Sequence, residues 1–179
     1  MKQGSDNFAR RAVCAPKQWR VIAALKYRLL PTLLLLADIS SGQACPVANK
    51  FIQITANGHT LATEIAATRT SHMCGLAFRH SLPADHGMLF AYAKDQIVAF
   101  WMKNTLIPLS IAFLDGDGRI LETYDMDPHD PARRYTSSVP ARYALEVNQG
   151  WFYDKDIEAG DRVEFDLQAG PEIFKSNAQ

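Results

Sequence analysis

The sequence contains no Gly-x-x-x-x-Gly-Lys phosphate loop, no Gly-x-Ser-x-Gly nucleophile elbow, and no closely spaced His-x-His or Met-x-Met pair. Phosphate-loop nucleotide chemistry, elbow-type serine hydrolysis and a tight copper-ligand set therefore lack the residue patterns they need. Cysteine is scarce, with three in 179 residues, too few for a scaffold built on disulfides. No internal repeat is visible. The longest apolar run, LLPTLLLLA, spans residues 29–37 and is interrupted by Pro31, well short of the roughly 20 residues a membrane-crossing helix requires. With 47% hydrophobic and 21% charged residues, what remains is the composition of one ordinary globular domain.

The formal net charge of zero hides an asymmetry. Residues 1–44 hold seven Lys or Arg against Asp6 and Asp38, so residues 45–179 hold twelve basic and seventeen acidic side chains, a net of −5. The basic opening runs into LLPTLLLLA and then into the small, polar DISSGQA. A positive region, a short apolar region and small residues before a cleavage point form the pattern of a secretory signal, assigned here to residues 1–44. Cleavage after Ala44 makes Cys45 the first mature residue, within a short segment 45–50. Release as a soluble protein of the periplasm or cell envelope is expected, with no membrane span after signal removal. Lipidation of Cys45 is the alternative, although Gly42 stands where a lipoprotein signal calls for leucine. Cys74 is then expected as a buried free thiol, with pairing to Cys45 as the other possibility. An acidic mature domain without a basic cluster argues against nucleic acid as a partner.

In the mature chain, FIQIT and HTLATEIA flank Asn57-Gly58, a pair that favours a two-residue hairpin turn. Thr70 or Ser71 is a candidate cap for a short helix. GMLFAY and IVAFWM, separated by AKDQ, read as a second hairpin, and LSIAFLD and RILETYD around Gly116-Asp117-Gly118 as a third. Residues 126–141, with three prolines and no periodicity, form a long loop. RYALEVN is a strand, GWFYDKDI a short helix or turn and DRVEFDL a last strand. The expected architecture is α+β but predominantly β: a single antiparallel, barrel-like domain over residues 51–168 with two short helices. Residues 169–179 are expected as a flexible tail.

Five segments, GLAFRHSLPADHGMLF, FWMKNTLIPLSIAFLD, DGRILE, ALEVNQGWF and IEAGDRVEF, together resemble the family called domain of unknown function 192, over roughly residues 51–167. The resemblance implies a compact β-barrel-like domain, usually behind a bacterial signal peptide, with no established activity. Three departures stand out. Ala77 lies where the family commonly has methionine, His72 where it often has arginine, and Ser110 where it often has aspartate. The last removes a carboxylate from beside FWMKNT.

That segment poses the chemical question, because an apolar, aromatic stretch carries Lys103 and Asn104 in its middle. On an extended strand Trp101, Lys103 and Thr105 share one face. Lys103 can lie along Trp101 with its ammonium in water, with Asn104 forming a turn. Alternatively Trp101, Lys103 and Asn104, with Met88 and Phe90, line an apolar ligand pocket. Glu146, flanked by Leu145 and Val147, is either a surface carboxylate or the buried partner of Lys103. Asp161 and the Asp115–Gly118 stretch read as turns; the latter resembles the start of a calcium loop but has Arg119 where an acid is needed. No metal or cofactor is expected.

The favoured role is a monomeric, non-catalytic envelope module that binds a small molecule, glycan or peptide at Trp101, Lys103, Asn104, Glu146 and Met88. Alternatives are an envelope enzyme using Lys103 and Glu146, or a structural partner of an envelope complex docking through Trp151-Phe152-Tyr153 and the 126–141 loop. Fractionation of the native host is expected to find the mature chain outside the cytoplasm, with an N-terminus at or near Cys45. Intact Met1 on soluble cytoplasmic protein overturns the export assignment.

Overall fold

A computed structural model describes Cys45 and residues 49–167. The expected signal segment and tail lie outside these residues, apart from Cys45 itself. Among the described residues nine strands and two short helices follow one another as β1 (Lys50–Ala56), β2 (His59–Ala66), α1 (Arg69–Cys74), β3 (His86–Gln96), β4 (Ala99–Phe100), β5 (Leu109–Leu114), β6 (Ile120–Met126), β7 (Tyr135–Thr136), β8 (Ala141–Asn148), α2 (Trp151–Asp154) and β9 (Val163–Phe165). Seven strands form one sheet in the order β6-β5-β8-β3-β2-β1-β9, and β4 pairs with β7 in a separate two-stranded ribbon.

The sheet curls until its two edge strands meet. Arg119, just before β6, bridges Arg162, just before β9, and the Val163 N–H donates to the Gly118 carbonyl at 2.8 Å. Gly118 makes this approach possible. It adopts φ +79°, and a Cβ there would lie 2.4 Å from the Val163 carbonyl oxygen, a position no side chain can share. The outcome is a curled seven-stranded half-barrel, and the predominantly β, α+β single domain expected from sequence is what forms.

Strand alternation then divides the core in two. Leu89, Ala112, Leu114, Leu145 and Val147 pack on one face with Trp151 and Phe152 of α2. Met88, Phe90, Ile111, Phe113 and Ala144 pack on the other, beneath Leu76, Val98, Met102 and Tyr135. Every residue of β5 is buried, which fits its apolar run from Ile111 to Leu114.

Two of the expected hairpins form, β1–β2 around Asn57-Gly58 and β5–β6 around Gly116-Asp117-Gly118. The hairpin between GMLFAY and IVAFWM does not. β3 continues as strand through Gln96, and its two sides are occupied by β2 and β8. The β2–β3 pair is parallel, so a crossover is required, and α1 lies within it. Its cap is Thr68, two residues before the expected start. The Thr68 and Ser71 side chains and backbone N–H groups bond reciprocally at 3.1 and 2.9 Å. Trp151 and Phe152 are buried and only Tyr153 of that run is exposed, so the expected aromatic docking patch is largely core.

Cys74 is not a free thiol. It is half-buried at the end of α1 and bonded to Cys45, with a Cα–Cα distance of 5.7 Å and a sequence separation of 29. Closing a loop of that length stabilises a fold by roughly 3–4 kcal/mol on the chain-entropy model. Reduction, or Cys74→Ala, is expected to lower the unfolding free energy by about that amount in urea titrations. Coincident curves with and without reductant would show that the bond does not constrain the unfolded chain.

Candidate functional site

A cleft of about 520 Å³ opens between the outer face of the sheet, α1 and the segment following β4. Its construction begins with a row of residues in register across the sheet: Glu64 on β2, Met88 on β3, Glu146 on β8 and Ile111 on β5. Two carboxyls thus share a mostly apolar face, and the side chains around them answer only one fully. Arg79 forks onto Glu64 at 2.5 and 2.8 Å, and the Asn49 amide donates to the same carboxylate at 3.1 Å. Burial alone would raise the Glu64 pKa, but these donors and the Arg79 charge outweigh it and hold the group below its ordinary value.

Glu146 has no such arrangement. Its residue is 5% exposed, and its carboxyl has no hydrogen-bond partner among the described residues while lining the cleft. Burial pushes its pKa up to about 8, against the weaker pull of the Arg79 charge. The carboxyl is therefore largely protonated near neutral pH.

β3 supplies the adjoining wall, with Phe90 and Tyr92 on the face that Glu146 occupies. Burial, then the nearby Glu146 charge, raises the Tyr92 phenol. α1 contributes Arg69, His72 and Met73. The His72 ring packs at a tilt against Tyr92, centroids 4.7 Å apart, and its Nε2 lies 2.9 Å from the Ala66 carbonyl oxygen. Burial lowers the His72 pKa despite two backbone carbonyl neighbours, so the imidazole is neutral and donates from Nε2. Phe100 on β4 packs edge-on against Phe90 at 4.8 Å.

The chain beyond Phe100 explains the lysine and asparagine among aromatics. The strand ends there, and Lys103-Asn104 form a turn closed by Thr105 N–H to the Met102 carbonyl at 3.0 Å, with Asn104 at φ +62°. Met102 is buried while Trp101 and Lys103 face outward. The Asn104 carbonyl accepts from Phe78 N–H at 2.8 Å, fixing the turn to the loop after α1. Arg134 lies 3.9 Å over the Trp101 ring and the Lys103 ammonium 5.8 Å from it, so two cations flank one indole.

Of the sequence candidates, Trp101, Lys103 and Glu146 line the cleft. Phe90, considered with them, does too. Met88 does not, because its place in the row puts it wholly within the core. Asn104 is a turn residue outside the lining. Lys103 and Glu146 form no ion pair: the lysine is exposed against Trp101, and the charge acting on Glu146 is that of Arg79. Arg69, His72, Tyr92, Phe100 and Arg134 complete the walls; only the departure at His72 marked any of them in the sequence. Ser110, where the family often has a carboxylate, stands opposite Asp125 across the ladder. Ser110 Oγ donates to Asp125 and accepts from Gly150 N–H at 2.9 Å.

Asp115 Oδ1 accepts from the N–H groups of Asp117 and Arg119, each at 2.9 Å, so the calcium-loop lookalike is a turn. Asp161 likewise accepts from Glu158 N–H at 2.9 Å. Among the described residues no group of three His, Cys, Asp or Glu side chains could hold a metal, and no helix is long and apolar enough to cross a membrane.

Residues 52–165 match the model of the family called domain of unknown function 192, described as an uncharacterized ACR. The chain belongs to this family. Two solved structures are similar to this member of domain of unknown function 192. One is a candidate transcription regulator from Sinorhizobium meliloti 1021, with 32% identity, a TM-score of 0.64, and 66% of this chain and 96% of that one covered. The other is a protein of unknown function from Novosphingobium aromaticivorans, with 32% identity, a TM-score of 0.63, and 66% and 89% covered. Among curated proteins none matches the sequence.

The electrostatics of Glu146 have a stability consequence. Its folded pKa lies above the ordinary 4.5, so between about pH 4.5 and pH 8 the folded protein keeps a proton that the unfolded chain releases. Stability associated with that proton is fully present below the unfolded value and is lost as pH rises towards about 8. The loss is roughly 3–5 kcal/mol. Urea midpoints of the wild type are expected to fall across this window, and Glu146→Gln to remove most of the fall. Parallel pH profiles for the two proteins would show that the carboxyl is hydrated and titrates normally.

Proposed function

We propose that the protein is an exported module that binds a small ligand in this cleft. The observation that carries the reading is Glu146, a buried carboxyl without a protein partner facing an aromatic-lined space. A carboxyl largely shielded from bulk water and without a protein partner is costly to ionise, and a molecule in the cleft is the partner that would offset that cost. The volume suits a small organic ligand, and Trp101 and Met73 leave apolar surface at the mouth.

Binding is favoured over catalysis by the composition of the walls. Glu146 is the one carboxyl in the lining, so a two-carboxylate glycosidase mechanism has no second group there. Lys103 stands apart from it, so the pairing required by the enzymatic alternative is missing. Docking of an envelope partner is disfavoured by the burial of Trp151 and Phe152. A regulator's role, suggested by the name of the Sinorhizobium meliloti protein, fits poorly with a net of −5 over residues 45–179.

Export is supported by the basic and apolar pattern of residues 1–37 and by the disulfide, a bond that persists in oxidising compartments. A sulfur committed to Cys74 is closed to thioether lipidation, which favours soluble release over anchoring at Cys45.

Native mass spectrometry of protein purified from its own envelope is expected to reveal a retained small molecule that Trp101→Ala loses. Bare polypeptide mass, together with a thermal-shift screen in which no compound's stabilisation depends on Trp101, would sink the binding reading.

A further inference from the structure

The floor and the mouth of the cleft make opposite demands on a ligand. At the floor, Glu146, only 5% exposed, lines the cleft together with Phe90, Tyr92 and Phe100. Aromatic faces attract cations, and a buried carboxylate is stabilised most by a cation in direct contact. Arg79 cannot move into that role, since both arms of its fork hold Glu64. At the mouth, Arg69, Lys103 and Arg134 form no ion pair among the described residues. Three uncompensated positive charges repel a simple cation, whereas a simple anion leaves the floor unanswered.

We propose that the cleft takes a small zwitterion, its primary or methylated ammonium seated among Phe90, Phe100 and Glu146, and its carboxylate or phosphate held at the mouth by Lys103 and Arg134. This rests on the binding reading above and narrows it to a ligand class. One molecule then meets both demands, and neither end alone does.

Seating an ammonium requires the Glu146 carboxylate, so the proton that the carboxyl carries near neutral pH leaves for bulk water. Other charged or titratable groups surround the site: His72 and Arg69 from α1, Tyr92 from β3, and Lys103 and Arg134 line the cleft, Arg79 from the loop after α1 acts on Glu146 through its charge, and Glu64 lies in the same row on β2, while β5 presents Ile111. At pH 7 Tyr92, whose phenol is raised, retains its proton, Glu64 stays ionised and His72 stays neutral. The released proton is therefore that of Glu146.

The test is isothermal titration of the mature protein at pH 7 in buffers of different ionisation enthalpy. The probes are glycine betaine and phosphocholine, which carry the two anion types, choline, which lacks the anion, and neohexyl phosphate, in which carbon replaces the ammonium nitrogen. At least one zwitterion is expected to bind with release of close to one proton, and choline and neohexyl phosphate to bind roughly tenfold or more weakly. The tighter zwitterion identifies carboxylate or phosphate as the anion. Betaine binding, where present, is expected to strengthen roughly tenfold or more from pH 6 to pH 8, and Glu146→Gln to abolish the proton release. The proposal is overturned if neither zwitterion binds, if binding releases no proton, or if either single-charge probe matches the zwitterions. Neohexyl phosphate binding that Trp101→Ala removes would overturn the zwitterion while leaving the binding module intact.

Discussion

Closure of the sheet at Gly118 decides how everything outside it is arranged. Once the edges beside β6 and β9 meet, one face of every central strand turns onto α2 and the enclosed core. The other face is just as apolar and must also be covered. The chain covers it with irregular material, the crossover containing α1 and the segment from Val98 to Ile107, assisted by the β4–β7 ribbon. A regular layer would have sealed that face. Short pieces held by local devices, the Thr68–Ser71 cap and the Lys103-Asn104 turn, leave a gap between them, and the cleft is that gap.

Two carboxyls lie in register on this face with one arginine forked onto the first. A guanidinium makes its strongest bonds when both arms bind one carboxylate, and Glu64, which also receives the Asn49 amide, is where Arg79 binds. Glu146 is left with a distant positive charge and apolar neighbours, so it resolves its position by holding a proton. Destabilisation is thereby confined to a single side chain at a single depth, and the strands on either side remain fully paired.

How much of this was legible depends on the range of the interactions. Asn57-Gly58 and Gly116-Asp117-Gly118 encode their hairpins within a few residues, and both form. AKDQ contains no glycine or asparagine to reverse the chain, and β3 runs through it because β2 and β8, distant in sequence, supply its partners. The FWMKNT segment offered a turn and a pocket wall as alternatives and provides both, Asn104 in the turn and Trp101 in the wall. Alternation put Glu146 opposite Leu145 and Val147, correctly, but could not tell that the face it points to is covered. Arg79, Tyr92 and Arg134 carried no local signal, since their roles arise from strand order and from loops folded back over the sheet. Cys74 belongs to the same class, because its partner lies beyond an entire hairpin.

The bond between Cys45 and Cys74 also determines how the domain responds to mechanical load. β1 lies between β2 and β9 near one edge of the sheet order, and a pull on its leading end would ordinarily open its pairings one after another. Here Cys45, which precedes β1 in the chain, is fastened covalently to the end of α1, so tension arriving at Cys45 divides between the backbone leading to β1 and the helix that walls the cleft. A load applied at Cys45 therefore reaches the helix beside the cleft as well as the sheet edge, and cutting the disulfide would leave only the second path.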